Sequence, residues 1–187
     1  MNRKIWRHTL CIALCILCCI FACAAQTSLL PGYLDDTYFV CDLLLCLTLA
    51  FGICAGKAYG AFLGIFAGVL ADSTGGFGIS LLPLFYMLCG YFIAVCAELI
   101  PNKKFPVYMA FGAFSVIGRS LVSMIYVMLS SGSLPILDVI RYVTLPILLG
   151  TCLALPLIYP VGLLVTLPIK EINKHSIDKI MSEGTKK

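Results

Sequence analysis

The chain has 187 residues, of which 61% are hydrophobic and 12% charged. A soluble domain carries ~25% charged residues, so 13 basic and 9 acidic side chains are too few to cover a water-facing surface. A soluble enzyme, a nucleic-acid-binding module and a disordered tail are excluded, and a membrane-embedded helical bundle remains. Crossing the hydrocarbon takes about 20 helical residues, so the chain has room for six spans with short loops and no separate soluble domain.

Residues 1–8 form a basic N-terminus with Arg3, Lys4 and Arg7. The first apolar run, 9–30, begins like a secretory signal, and Ala22-Cys23-Ala24 resembles a cleavage site. Its length and the spans that follow favour a first transmembrane helix. The second span is 38–54. Lys57 interrupts the hydrophobicity, and a short third span, 59–71, follows. Asp72-Ser73-Thr74-Gly75-Gly76-Phe77-Gly78 predicts a turn-rich break. The fourth span is 79–100, a tight basic loop occupies 101–106, and the fifth span is 107–129. A polar loop covers 130–137. The sixth span, 142–167, is predicted to be bent or interrupted by Pro146, Pro156 and Pro160.

Residues 9–168 therefore make one membrane domain, and 169–187 make a polar tail. In the tail, Ile169, Ile172, Ile177, Ile180 and Met181 fall loosely on one helical side among lysines. Such a face suits the membrane surface or a partner helix, and a solvated tail is the alternative.

Basic residues mark the cytoplasmic side of a membrane protein. With the N-terminus inside, the cytoplasmic segments receive Arg3, Lys4, Arg7, Lys57, Lys103, Lys104, Lys170, Lys174, Lys179, Lys186 and Lys187, while Asp35, Asp36 and Asp138 fall outside. The expected fold is an all-α integral membrane protein with six transmembrane helices and both termini cytoplasmic.

The 11 cysteines fall in apolar runs. Cys15-x-x-Cys18 has the spacing of half a zinc or redox motif but no second half. Cysteine is read here as a small apolar residue. No metal-ligand spacing, phosphate-cradling loop or Ser/His/Asp grouping appears. The chain is expected to be non-enzymatic and to use no cofactor.

Gly52, Gly56, Gly60, Gly64 and Gly68 recur every four residues, and Asp72 takes the next rung. A four-residue step drifts only about 40° around a helix, so Gly60, Gly64, Gly68 and Asp72 line one slowly winding stripe. Glycine at such spacing lets another backbone approach closely. The stripe serves either packing within the subunit or a partner's helix. Three charges lie in or near the spans: Asp42 in the second, Asp72 ending the third, and Arg119 twelve residues into the fifth. Charges at that depth are usually paired, which predicts a polar cluster of Arg119 with Asp42, Asp72 or both. Glu98 is expected near Lys103 and Lys104. Tyr86, Tyr91, Tyr108, Tyr126 and Tyr159 read as packing or interface residues.

From Gly60 through Gly64, Gly68 and Asp72, then Gly75-Gly76, Gly78-Ile79-Ser80-Leu81-Leu82 and Gly90-Tyr91, the chain resembles the rod shape-determining protein MreD family. That family carries a G-x-x-x-G-x-x-x-D core, a glycine-containing break and an apolar helix with a further glycine. The specific likeness covers 60–91; length and topology extend it loosely over the chain. Gly52, Gly56 and the cysteine-rich first span are not features of the family. The resemblance implies a non-catalytic scaffold of the bacterial cell-elongation machinery in the inner membrane. It would bind a bitopic MreC-like protein and link actin-like MreB filaments to peptidoglycan synthases, with membrane lipids around it. It also implies a fold like the substrate-binding subunits of energy-coupling-factor transporters. Such a vitamin-binding subunit is the rival reading, which the short external segments disfavour. A lipid-modifying enzyme ranks third.

Overall fold

Five helices enclose a sixth. The computed structural model describes residues 3–29, 41–75, 81–100, 104–131, 140 and 145–184. The α-helices among them are α1 (Arg3–Ala24), α2 (Leu43–Ala55), α3 (Lys57–Gly75), α4 (Leu81–Leu99), α5 (Lys104–Ser131) and α6 (Leu145–Gly184), with a π-helical turn, Ala25–Leu29, after α1. No strand occurs among the described residues.

The centre is α2. It packs against each of the other five helices, and those neighbour one another in the closed order α1, α3, α4, α5, α6 and back to α1. The sequence of α2, LLLCLTLAFGICA, is apolar on every side, and residues Leu44 to Cys54 are all buried. A helix apolar all round belongs inside a larger assembly. The ring helices instead bury one stripe each. In α1 that stripe is Cys11, Cys15, Cys19 and Ala22, spaced by four and then three residues, while Leu10, Leu14, Leu17 and Phe21 are exposed. All eleven cysteines are free, and those of α1 fill the narrow space beside the core as small apolar groups. The outer faces of α4, α5 and α6 are likewise apolar, with Leu84, Phe114, Ile117, Leu153 and Leu157 more than half exposed. Such a perimeter suits hydrocarbon.

Four helical segments are long and apolar enough to cross a membrane: Thr9–Ser28, Leu81–Leu99, Lys104–Ile125 and Leu145–Thr166. The chain is thus compatible with a multi-pass membrane protein. α2, with 13 residues, reaches about 20 Å, short of the ~30 Å of hydrocarbon. α3 has 19 residues, but Lys57, Asp72 and the glycines dilute its hydropathy.

The helices alternate in direction. Lys57 at the start of α3 meets Glu98 at the end of α4, and Gly68 late in α3 meets Pro83 early in α4. Cys11 early in α1 donates to the carbonyl of Val165 late in the apolar part of α6, at 3.3 Å. Asp42 before α2 meets Thr151 early in α6.

Several sequence-based boundaries are corrected. The third helix runs from Lys57 to Gly75, not 59–71, and Asp72 lies inside it. The expected break fails to start there because hydroxyls satisfy the last-turn carbonyls. Ser73 Oγ donates to Leu70 O at 2.8 Å, and Thr74 Oγ1 reaches Leu70 O and Ala71 O at 3.1 Å each. Residues 76–80 lie outside the described set. The second helix begins at Leu43, so Asp42 caps it instead of lying within it. α6 continues as helix through Pro156 and Pro160 and into the tail. The tail's side chains, Asp35, Asp36, Asp138 and Lys103 lie outside the described residues.

The glycine stripe is used up inside the subunit. A Cβ on Gly52 would stand 2.5 Å from Gly90 O, one on Gly64 would stand 2.5 Å from Tyr86 O, and those on Gly60 and Gly68 would overlap Gly90 O and Pro83 Cα. All four contacts are with the backbone of α4, so α3 and α4 touch main chain to main chain. Gly56 acts differently. Its φ is +104°, and a Cβ there would meet nothing within 4 Å; it supplies the left-handed turn between α2 and α3. The rungs at Gly60, Gly64 and Gly68 are therefore not an open groove for a partner.

Candidate functional site

Capping α2 places a carboxylate inside the bundle. Asp42 Oδ1 accepts from the Leu45 N–H at 3.1 Å, satisfying one of the open donors of the helix start. Because α2 is central, that cap is only 4% exposed, and an ionised carboxylate there requires partners.

Two other helices supply them, and a third holds the Asp42 backbone. From α4, the Tyr86 hydroxyl donates to Asp42 Oδ2 at 2.5 Å. From α5, Arg119 Nε donates to the same oxygen at 3.2 Å, forming an ion pair. From α6, Thr151 Oγ1 accepts the Asp42 backbone N–H at 3.1 Å, and the Thr151 carbonyl accepts from Cys46 Sγ at 3.8 Å. Arg119 Nη1 also donates to Ser123 Oγ one turn further along α5. The pair is deep, with side-chain exposures of 12% for Arg119 and 6% for Asp42, and Tyr86 is fully buried.

Helix lengths explain the convergence. α2 spans about 20 Å from Ala55 back to Asp42, Arg119 is about 22 Å from the start of α5, and Tyr86 is about 18 Å from Glu98, all at 1.5 Å per residue. These starting points share one end of the bundle, so the three side chains meet at one level.

Asp72 stands at a similar height on α3 yet takes no part. α3 and α5 are separated by α4 in the ring, and Asp72 continues the stripe that faces α4. It is half-buried, and its Oδ1 is buried with no hydrogen-bond partner among the described residues. The predicted cluster of Asp42, Asp72 and Arg119 is thus an Asp42–Arg119 pair with Tyr86, Thr151 and Ser123 around it, and without Asp72. Tyr86 and Thr151 had no signal of their own in the sequence; matching heights along α4 and α6 is what could have found them.

Comparisons with protein-family models, with curated proteins and with solved structures find no match.

The arrangement holds charge in place. Both oxygens of Asp42 are occupied by donors, and the arginine is committed to two acceptors. The side chain and backbone N–H of Asp42 together tie α2 to α4, α5 and α6. No group of three or more metal-ligating side chains lies among the described residues.

Among the described residues, two spaces beside the core stand out. One is a wholly apolar groove of about 760 Å³ beside α1 and α6, lined by Leu43 and Leu47 of α2 with Leu17, Phe21 and Ile158. The other is a smaller cavity at the inner end of α2, beside Glu98 and Lys104. Glu98 lies beside Lys104 on this cavity, as the sequence suggests, and pairs with Lys57 at 2.6 Å; Lys103 lies outside the described residues.

Proposed function

We propose that the chain is a non-catalytic, six-span scaffold of the bacterial cell-elongation machinery, set in the inner membrane with both termini in the cytoplasm. It binds a bitopic MreC-like protein and through it couples MreB filaments to peptidoglycan synthases, in the manner of the MreD family it resembles. The observation that carries this reading is the saturated Asp42 network. A buried carboxylate of the bundle is spent on locking α2, α4, α5 and α6 together. The Gly60–Gly68 pattern behind the resemblance supports it, because that pattern builds the α3–α4 interface on which the lock rests.

The test is depletion in a rod-shaped host together with affinity purification of the tagged chain from membranes. Rounding of the cells and recovery of a single-span membrane protein are expected. Rods of normal width after depletion would refute the scaffold. Recovery with a stoichiometric bound vitamin and an ATPase pair would assign it to transport instead.

A further inference from the structure

At the opposite end of α2 from Asp42 the bundle is open. α2 stops at Ala55, and a cavity of about 370 Å³ lies between its last turn, α4 and the start of α5. The walls are small residues, including Gly52, Gly56 and Ala97, and its charged members are Glu98 and Lys104. Lys57 holds the Glu98 carboxylate at 2.6 Å, and both side chains are exposed, 39% and 59%. Lys104 makes no ion pair with a described residue. With Glu98 neutralised by Lys57, the Lys104 ammonium is left without a counter-charge among the described residues that line the cavity. Next to it, Leu99, Ile100 and Phe105 are exposed and apolar.

We infer that this cavity binds the phosphate of an anionic phospholipid head group, with Lys104 as its counter-charge and the acyl chains lying along Leu99, Ile100 and Phe105. Basic pockets between helices at a membrane interface bind such head groups. The adjoining apolar strip favours a lipid over a soluble phosphate ester, which would leave that strip uncovered. Lys57 has an indirect part, since it keeps Glu98 from neutralising Lys104. The inference does not depend on the scaffold reading and would stand if that reading failed.

Native mass spectrometry of the full chain, offered equal amounts of phosphatidylglycerol and phosphatidylcholine of the same chain length, tests it. The wild-type chain should retain phosphatidylglycerol in preference. Lys104→Gln should lower that retention about fivefold, the weight of one basic group near an anionic head group. Glu98→Gln should raise it, a gain that a misfolded variant would not produce. Equal retention of the two lipids, or no response to either substitution, would overturn the site. Displacement of the lipid by an equal concentration of glycerol phosphate would overturn the lipid assignment and leave a soluble phosphate ester as the ligand.

Discussion

The Asp42–Arg119 pair can be separated from its surroundings by a double-mutant cycle. Asp42→Asn keeps an acceptor for the Leu45 N–H, puts an amide NH2 in place of Oδ2, where the Tyr86 hydroxyl can turn to accept from it, and removes the charge. Arg119→Met keeps the length of the side chain and removes its charge. At 3.2 Å and an effective dielectric constant of about 20, the attraction is about 5 kcal/mol. Withdrawing two ions from water costs several kcal/mol each, so the intact pair nets little against an apolar substitute. Each single substitution strands one charge in the bundle, where exposure is 12% or less, and should destabilise by ~3–5 kcal/mol. The double variant strands none. It should lie within about 2 kcal/mol of wild type, giving a coupling of several kcal/mol between the two positions. Reversible unfolding in mixed micelles, read by loss of helix signal, measures all four corners. Additive losses, with a coupling below ~0.5 kcal/mol, would show that the two charges are solvated independently and that the network does not lock the helices.

Tyr86→Phe removes one donor to the same carboxylate and should cost ~1–2 kcal/mol in the same unfolding assay, less than either charge substitution. Asp72→Asn should change stability by less than about 1 kcal/mol, because the side chain has no partner among the described residues to lose; a loss as large as that of Asp42→Asn would place Asp72 in the network after all. Gly64→Ala drives a methyl into the backbone of α4 at Tyr86 and should destabilise by ~1–3 kcal/mol or push the helices apart. Gly56→Ala has open space, and its penalty, ~1–3 kcal/mol, comes from the backbone conformation alone. Cysteine pairs introduced across α3 and α4 should therefore crosslink less readily in the Gly64 variant and normally in the Gly56 variant.

Much of this was legible in the sequence, and the limits have a common cause. Hydropathy and turn residues locate the helices, and four-residue spacing identifies the stripe. The cost of lone charges in a membrane leads to Asp42 and Arg119. What a linear reading does not hold is rotation about each helix axis and the order of helices around the centre. Asp72 has the right chemistry at the right height, yet α4 stands between it and Arg119. Tyr86 looks like any packing tyrosine until α4 is turned so that its hydroxyl meets Asp42. Lys57 and Glu98 are far apart in sequence, so proximity along the chain brings Glu98 to Lys104 but does not reveal the ion pair with Lys57. The end of α3 was misplaced for a local reason: Ser73 and Thr74 satisfy helical carbonyls here, although the same residues are common in turns.

Both polar features follow from the shortness of one helix. α2 has 13 residues, whereas the helices around it have 19 to 40, so its ends fall within the bundle. A buried helix start leaves N–H donors that water cannot reach. Asp42 meets one of them, and a charged cap then demands a buried cation and further donors, which the ring supplies as Arg119 and Tyr86. At the other end the Gly56 N–H closes the last turn onto Gly52 O at 3.1 Å, and glycine's left-handed φ turns the chain directly into α3. No described side chain fills the space beneath that turn, and the cavity beside Glu98 and Lys104 lies there. The length of α2 therefore sets the two sites about 20 Å apart, one closed and saturated with hydrogen bonds, the other open and carrying a cation with no ion-pair partner among the described residues.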